Sequence, residues 1–231
     1  MKRSYINEIL QEADGFIRSF GFSMPPFAYL TPAQMQAQGA AVSALVSARM
    51  GWDITDYGLE DFRKTGLFLF TLRNGADYAE KIMVSRQGQI SPLHRHGVKT
   101  EDIINRGGAM LAIEMFTSTP NGALDPEAKV QVRVDGVART LPAGGILQLA
   151  PGESVTLAPG NWHAFWGEGG DVLIGEVSTV NDDLTDNIFH APIGRFATVE
   201  EDEAPLHLLV SDYEKWLGTG ISSFASSGAG R

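Results

Sequence analysis

His94 and His96 are separated by one residue, and Glu101 follows after four more. In an extended strand, residues i and i+2 point to one face. Both imidazoles can therefore reach one cation, and Glu101 adds a carboxylate oxygen. Imidazole and carboxylate together suit a divalent first-row metal such as Mn, Fe, Co, Ni or Zn. A distant segment, Ala158 to His163, offers a third imidazole. A single His-x-His would be weak evidence. Two blocks, each set among glycines and β-favouring residues, make His94, His96, Glu101 and His163 a candidate metal set. Neutral imidazoles and an ionised carboxylate would hold the ion and leave positions open to water or substrate.

The first block resembles the first cupin motif, G(x)5HxH(x)4E(x)6G, at Gly88, His94, His96, Glu101 and Gly108. The second resembles the second cupin motif at Gly152, Gly160 and His163. There Ala158 replaces the usual proline and Gly167 the usual terminal asparagine, departures that touch turns and spare the ligand. In detail the chain resembles one cupin branch, the D-lyxose ketol-isomerase family. The resembling features are the run from Lys99 to Gly108, the run from Gly175 to Asp183, Asp186-Asn187, Ile193 to Phe196, the opening MKRSYIN and the segment PPFAYLTP. The likeness covers most of residues 1–217 and weakens at residues 34–50 and after Gly218. It implies a metal-dependent aldose–ketose isomerase acting on a free sugar, D-lyxose to D-xylulose or D-mannose to D-fructose. Manganese is the expected ion, and the expected setting is a cytoplasmic homodimer.

Further residues bear on the chemistry. If Gly97-Val98 is a turn, Lys99 faces the same side as Glu101. A neighbouring cation should lower its pKa and suit it to proton transfer; the alternative is a solvated turn lysine. A hairpin turn at Glu168-Gly169 would set His163 opposite Ile174 and turn Glu176 inward. Glu176 would then bind substrate hydroxyls or support the site, unless its role is plainly structural. Asn181, Asp182, Asp183, Asp186 and Asn187 form a polar run suited to a hydroxyl-rich ligand, with Asp182 the nominee for substrate binding. A solvated loop or Asx-turn has an equal claim on it. Arg195 either clamps a substrate oxygen or braces an acidic loop. The acidic residues Glu200 to Glu203 read first as charge at a helix N-terminus. An isomerase still needs an acid/base group beyond the metal, and Glu201 is the nominee. His190 and His207 lack a ligand partner at short spacing. Trp162, Phe165 and Trp166 are core aromatics or, for one of them, a sugar-stacking face.

Composition sets outer limits. A net charge of −10 on 231 residues argues against a nucleic-acid surface. No cysteine is present, so thiolate and disulfide chemistry are excluded. No stretch reaches the ~18 uninterrupted apolar residues of a membrane span, and no signal-peptide apolar region follows Lys2 and Arg3. Arg95, Lys99, Arg106 and Arg195 are the cations expected in or near the site segments, and Arg95 should alternate away from the ligands. That scarcity points to a neutral polyol rather than a phosphosugar.

The elements that must position these residues follow from periodicity. Ile6, Ile9, Leu10, Ala13, Phe16, Ile17 and Phe20 predict a helix with Ser4 as N-cap. Thr31-Pro32-Ala33-Gln34 matches a capping box and predicts a second helix running to Met50. Short strands are expected over residues 67–72, 78–85, 109–116, 130–134, 137–140, 146–149, 155–157, 163–166 and 172–177, with a hairpin at Asp135-Gly136. Leu206 to Leu217 predicts a C-terminal amphipathic helix. The fold class is thus mostly β: a cupin-type antiparallel jelly-roll barrel with N-terminal helices and a C-terminal helix. The expected division is a helical segment over 1–66, the barrel with its last helix over 67–217, and a mobile tail over 218–231. Two rival functions fit the same metal set, a cupin dioxygenase and a non-catalytic sugar-binding cupin.

Overall fold

The computed structural model describes residues 1–179 and 181–218, so the expected tail lies outside the described residues beyond Gly218. Helix α1 spans Arg3–Ser19 and buries Ile6, Ile9, Leu10, Ala13 and Ile17 at the predicted spacing. Its start differs from expectation. Lys2 is the N-cap, and the N–H and hydroxyl of Ser4 both donate to the Asp202 carboxylate. Ser4 thus fastens the helix to the far end of the chain. The Thr31–Gln34 capping box forms as predicted and opens α2, Pro32–Gln38. That helix stops at Gly39, whose φ of 49° and ψ of −120° are not helical. A 3-10 turn and the short α3, Ser43–Ser47, replace the single helix expected to reach Met50. Met35, Val42 and Val46 anchor this stretch against Leu208, Val210 and Tyr213.

Twelve strands follow among the described residues: β1 Gly51–Thr55, β2 Leu67–Asn74, β3 Ala79–Ser85, β4 Ser91–Arg95, β5 Glu101–Ser118, β6 Leu124–Asp125, β7 Val130–Val134, β8 Val137–Leu141, β9 Gly145–Leu149, β10 Ser154–Leu157, β11 Trp162–Ser178 and β12 Ile188–Phe189. Every strand ladder is antiparallel. The order β1-β2-β3-β11-β5-β10-β7-β8 forms one layer, and β12-β4 and β9 join the other halves of β11 and β5. The two long strands therefore pair with each other along their length and bend from one layer into the other. Gly108, at φ 98°, permits the bend, because a Cβ there would collide with the Asp171 carbonyl.

Three expectations need correction. The sheet begins at Gly51, inside the stretch expected to be helical; GWDIT is buried at every position and so shows no alternation. Residues 163–177 form one strand in place of a hairpin, because β11 keeps β5 as its partner throughout. The C-terminal helix, α4, covers only Tyr213–Leu217. Leu208, Leu209 and Val210 are buried without being helical, and Val210 N–H bonds to Trp52 O.

The pleat divides the core. In β2 and β3, Phe68, Phe70, Ile82 and Val84 pack outward against α1, while Leu67, Leu69 and Met83 pack inward with Ile103, Ile113, Met115, Phe165 and Ile174. Burial of both faces explains the unbroken apolar run LFLF in β2. Among the described residues no helix is long and apolar enough to cross a membrane.

Candidate active site

Pairing of β4 with β11 sets His94 directly opposite His163, and His96 follows just beyond the end of β4. The ligating nitrogens of the three imidazoles all lie within 4.8 Å of one another. Each ring is oriented from behind. Nδ1 of His94 donates to Pro92 O at 2.8 Å, Nδ1 of His96 to Asp186 O at 2.9 Å, and Nδ1 of His163 to Asn161 O at 3.2 Å. A carbonyl oxygen only accepts, so each Nδ1 carries the proton and each Nε2 turns a lone pair to the centre. Burial, with repulsion from His163 and His96, pushes the His94 pKa well below the ordinary value. The ring is therefore neutral and ready to bind a cation.

Glu101 opens β5 and is 2 % exposed. Its Oε1 lies 3.4 Å from His96 Nε2 and 3.3 Å from His163 Nε2 and has no hydrogen-bond partner. A buried carboxylate oxygen aimed at two lone-pair nitrogens is unfavourable unless a cation sits among them. The donor set therefore fits a divalent metal. Oε2 pairs with Lys99 Nζ at 2.6 Å. Burial alone would raise the Glu101 pKa, but the Lys99 ammonium outweighs it and holds the group well below the carboxylate range.

Lys99 is buried and also donates to Glu176 Oε1 at 2.9 Å. Burial would lower its pKa, but Glu101 and Glu176 outweigh burial and raise it. The expected lowering depends on a bound cation; without one, the two carboxylates keep the ammonium charged. Glu176 faces the interior, by a route other than the expected hairpin. Register shifts on the β5–β11 ladder change the alternation once. Odd-numbered His163 and Phe165 and even-numbered Ile174 and Glu176 consequently all line the barrel. Burial opposes ionisation of Glu176, but Lys81 and Lys99 prevail and lower its pKa.

These groups line a cavity of about 450 Å³, counting its open mouth, together with Tyr57, Asp183, Asn187 and Arg195. Lys81 was not anticipated. It sits two residues before inward-facing Met83, 3.1 Å from Asp183 Oδ1 and 3.5 Å from Glu176 Oε1. A lysine inside an apolar strand was the available signal. Arg195 lies at the wall, its NH2 2.8 Å from Asp53 Oδ2 and 4.0 Å from Asp183 Oδ2, with its guanidinium over Phe196. Asp53 is raised in pKa by burial, against the pull of Arg195. Arg95 turns away, to Gly122 O and the face of Trp162.

Two nominees are elsewhere. Glu201 accepts from Arg3 Nε at 2.8 Å and NH2 at 3.0 Å and from Lys215 Nζ at 2.7 Å. It belongs to a structural ion cluster, outside the cavity lining. Hydrogen bonding from Arg3 is the main cause that lowers its pKa to about 2. Asp182 is exposed and caps its own turn, accepting from Leu184 N, Thr185 N and Thr185 Oγ1. Its neighbour Asp183 takes the place in the cavity. Phe165 lines the cavity, whereas Trp162 and Trp166 do not.

An antiparallel barrel that gathers imidazoles and carboxylates from strands β4, β5 and β11 defines the cupin class. Solved structures share the fold. The L-ribose isomerase of Acinetobacter sp. DL28 in complex with L-ribose matches with a TM-score of 0.60 at 15% identity, covering 87% of this chain and 98% of that one. That of Geodermatophilus obscurus matches with a TM-score of 0.56 at 17% identity and the same coverage. Sequence comparison goes further. The family model described as D-lyxose isomerase matches residues 1–213. D-lyxose/D-mannose isomerases of Serratia proteamaculans and Escherichia coli O157:H7 are 45% and 43% identical, over 94% of this chain and 100% of their own length. The chain belongs to the D-lyxose isomerase family and is an aldose–ketose sugar isomerase. That membership sets aside the dioxygenase and the non-catalytic readings.

Proposed function

We propose that the chain interconverts free D-lyxose with D-xylulose and D-mannose with D-fructose, using a divalent metal held by His94, His96, Glu101 and His163, with manganese the first choice. The observation that carries this reading is the orphaned Glu101 Oε1 facing the imidazole nitrogens, one carboxylate width from the Lys99–Glu176 pair. The relatives named above supply the choice of sugars. When bound, the metal supplies Lewis-acid polarisation of adjacent substrate oxygens and acidifies the C2 proton.

The chain's own residues do the rest. Lys99, held as an ammonium, gives a proton to the carbonyl oxygen at C1 as the Glu176 carboxylate takes the proton from C2. The enediol so formed loses its O2 proton back to Lys99 and receives the proton from Glu176 at C1, which leaves the ketose and regenerates both groups. Lys81 holds Glu176 ionised and, with Asp183 and Arg195, offers polar contacts to the remaining hydroxyls. The apolar wall of Leu67, Leu69, Met83 and Phe165 limits water at the reacting carbons.

The test is an aldose panel assayed for ketose formation after chelation, with Mn²⁺, Fe²⁺, Co²⁺, Ni²⁺ or Zn²⁺ restored in turn. Ketose from D-lyxose and D-mannose, strongest with Mn²⁺, is the expected result. Turnover that survives complete chelation unchanged would remove the metal from the proposal.

A further inference from the structure

The segment from Asn181 to Phe189 reaches the cavity, and one side chain joins it to the ligand-bearing turn. Asp186 Oδ1 accepts from Gly97 N–H at 2.7 Å and Val98 N–H at 3.0 Å, and its Oδ2 accepts from Lys99 N–H at 2.9 Å. Its backbone carbonyl takes the Nδ1 proton of His96 at 2.9 Å. Gly97 leaves room for the carboxylate: a Cβ there would sit 3.1 Å from Asp186 Oδ1, close enough that the carboxylate would have to shift by a few tenths of an ångström. The same segment brings Asp183 and Asn187 to the cavity, with Asn187 donating to Asp183 O at 3.1 Å. It then pairs as β12 with β4, Ile188 to Arg95 and Phe189 to His94.

Three successive N–H groups on one carboxylate make charge-assisted bonds, which are stronger than neutral ones. We infer that Asp186 is a positioning residue serving both halves of the site. Toward β5 it fixes the His96 ring and the path from Gly97 to Lys99. Toward its own segment it holds Asp183 and Asn187 in register with the cavity. This inference rests on the metal-centre reading above.

The test titrates Mn²⁺ calorimetrically into the chelated full chain and measures kcat at saturating Mn²⁺ for four proteins: wild type, Asp186→Ala, Asp186→Asn and Asp125→Ala. Asp125 is a control of the same chemistry, since its carboxylate accepts from Glu127 N and Ala128 N in a remote loop. Asp186→Ala is expected to weaken Mn²⁺ binding by roughly 10–100-fold, the range for partners that orient a ligand. Its kcat stays depressed at saturating Mn²⁺, because Lys99 has lost its anchor. The near-isosteric Asp186→Asn keeps one acceptor for Gly97 and Val98 but none for Lys99, so it retains more of the affinity than of the kcat. Asp125→Ala matches wild type in both. Wild-type affinity and kcat in Asp186→Ala, with only a lower Tm, overturns the inference. Failure of the wild type itself to bind Mn²⁺ overturns the metal-centre reading instead.

Discussion

His94 and His163 are cross-strand partners, their ring centroids 4.2 Å apart, although the chain brings them from separate strands. A metal held by both rings would tie β4 to β11. His96→Ala is therefore expected to lose metal occupancy and turnover together, as read by elemental analysis beside the ketose assay. Wild-type activity at full metal content would refute the ligand assignment. Chelation should also lower the Tm of the wild type, since a ligand that binds only the folded state stabilises it.

Lys99 and Glu176 separate binding from chemistry. Lys99→Ala and Glu176→Gln are each expected to keep the metal and lose roughly 10²-fold or more in kcat, the range for a positioned acid/base group. In D₂O the proton that Glu176 carries should exchange with solvent during the lifetime of the enediol, so that part of the product ketose carries deuterium at C1. A product free of deuterium, with full retention of the C2 hydrogen, would favour hydride transfer over the Glu176 relay.

The cavity holds three cations, Lys81, Lys99 and Arg195, where the sequence pointed to two of them. They are matched by Glu101, Glu176, Asp183 and, behind Arg195, Asp53. A phosphate would have to displace these partners to gain an Arg or Lys fork. We expect kcat/KM for mannose 6-phosphate to fall below that for mannose, and the reverse ranking would mean that the cations are recruited for an anion.

Glu201 gives a prediction of the opposite kind. Glu201→Gln should leave kcat intact and destabilise the fold by roughly 1–3 kcal/mol, because the buried Arg3 loses charged bonds. Its folded pKa of about 2 lies below the ordinary 4.5. The ionised group therefore contributes stability in full above about pH 4.5 and loses it as pH falls toward 2. Acid unfolding of the Gln variant should be correspondingly flatter in that window, and a large fall in kcat at neutral pH would return Glu201 to the chemistry.

What the sequence made legible was local. The i, i+2 spacing of His94 and His96, the capping box at Thr31 and the Asp135-Gly136 hairpin each depend on a few neighbouring residues. The inward turn of Glu176 depends on a register shift in a ladder with a strand some seventy residues earlier, which no local pattern records. Asp182 and Asp183 are adjacent acids, and only the direction of the chain after β11 decides which one enters the cavity. Lys81 and Asp53 were hidden because both lie in strands buried on two faces, where alternation fails and an ionisable residue among apolar ones is the remaining mark.

The buried guanidinium of Arg3 is held by Glu201 and Asp212, and its backbone N–H by Glu200 O. During synthesis these partners emerge roughly 200 residues after Arg3 itself. The apolar stripe of α1 also packs on Leu173 and Leu209. Phe68, Phe70, Ile82 and Val84 can cover most of the stripe soon after it is made, but at ~5–20 residues per second the Arg3 partners follow only about 10–40 s later. The first helix to be made can thus dock early by its apolar face, while the Arg3 guanidinium stays without its carboxylates until residues 201–212 emerge.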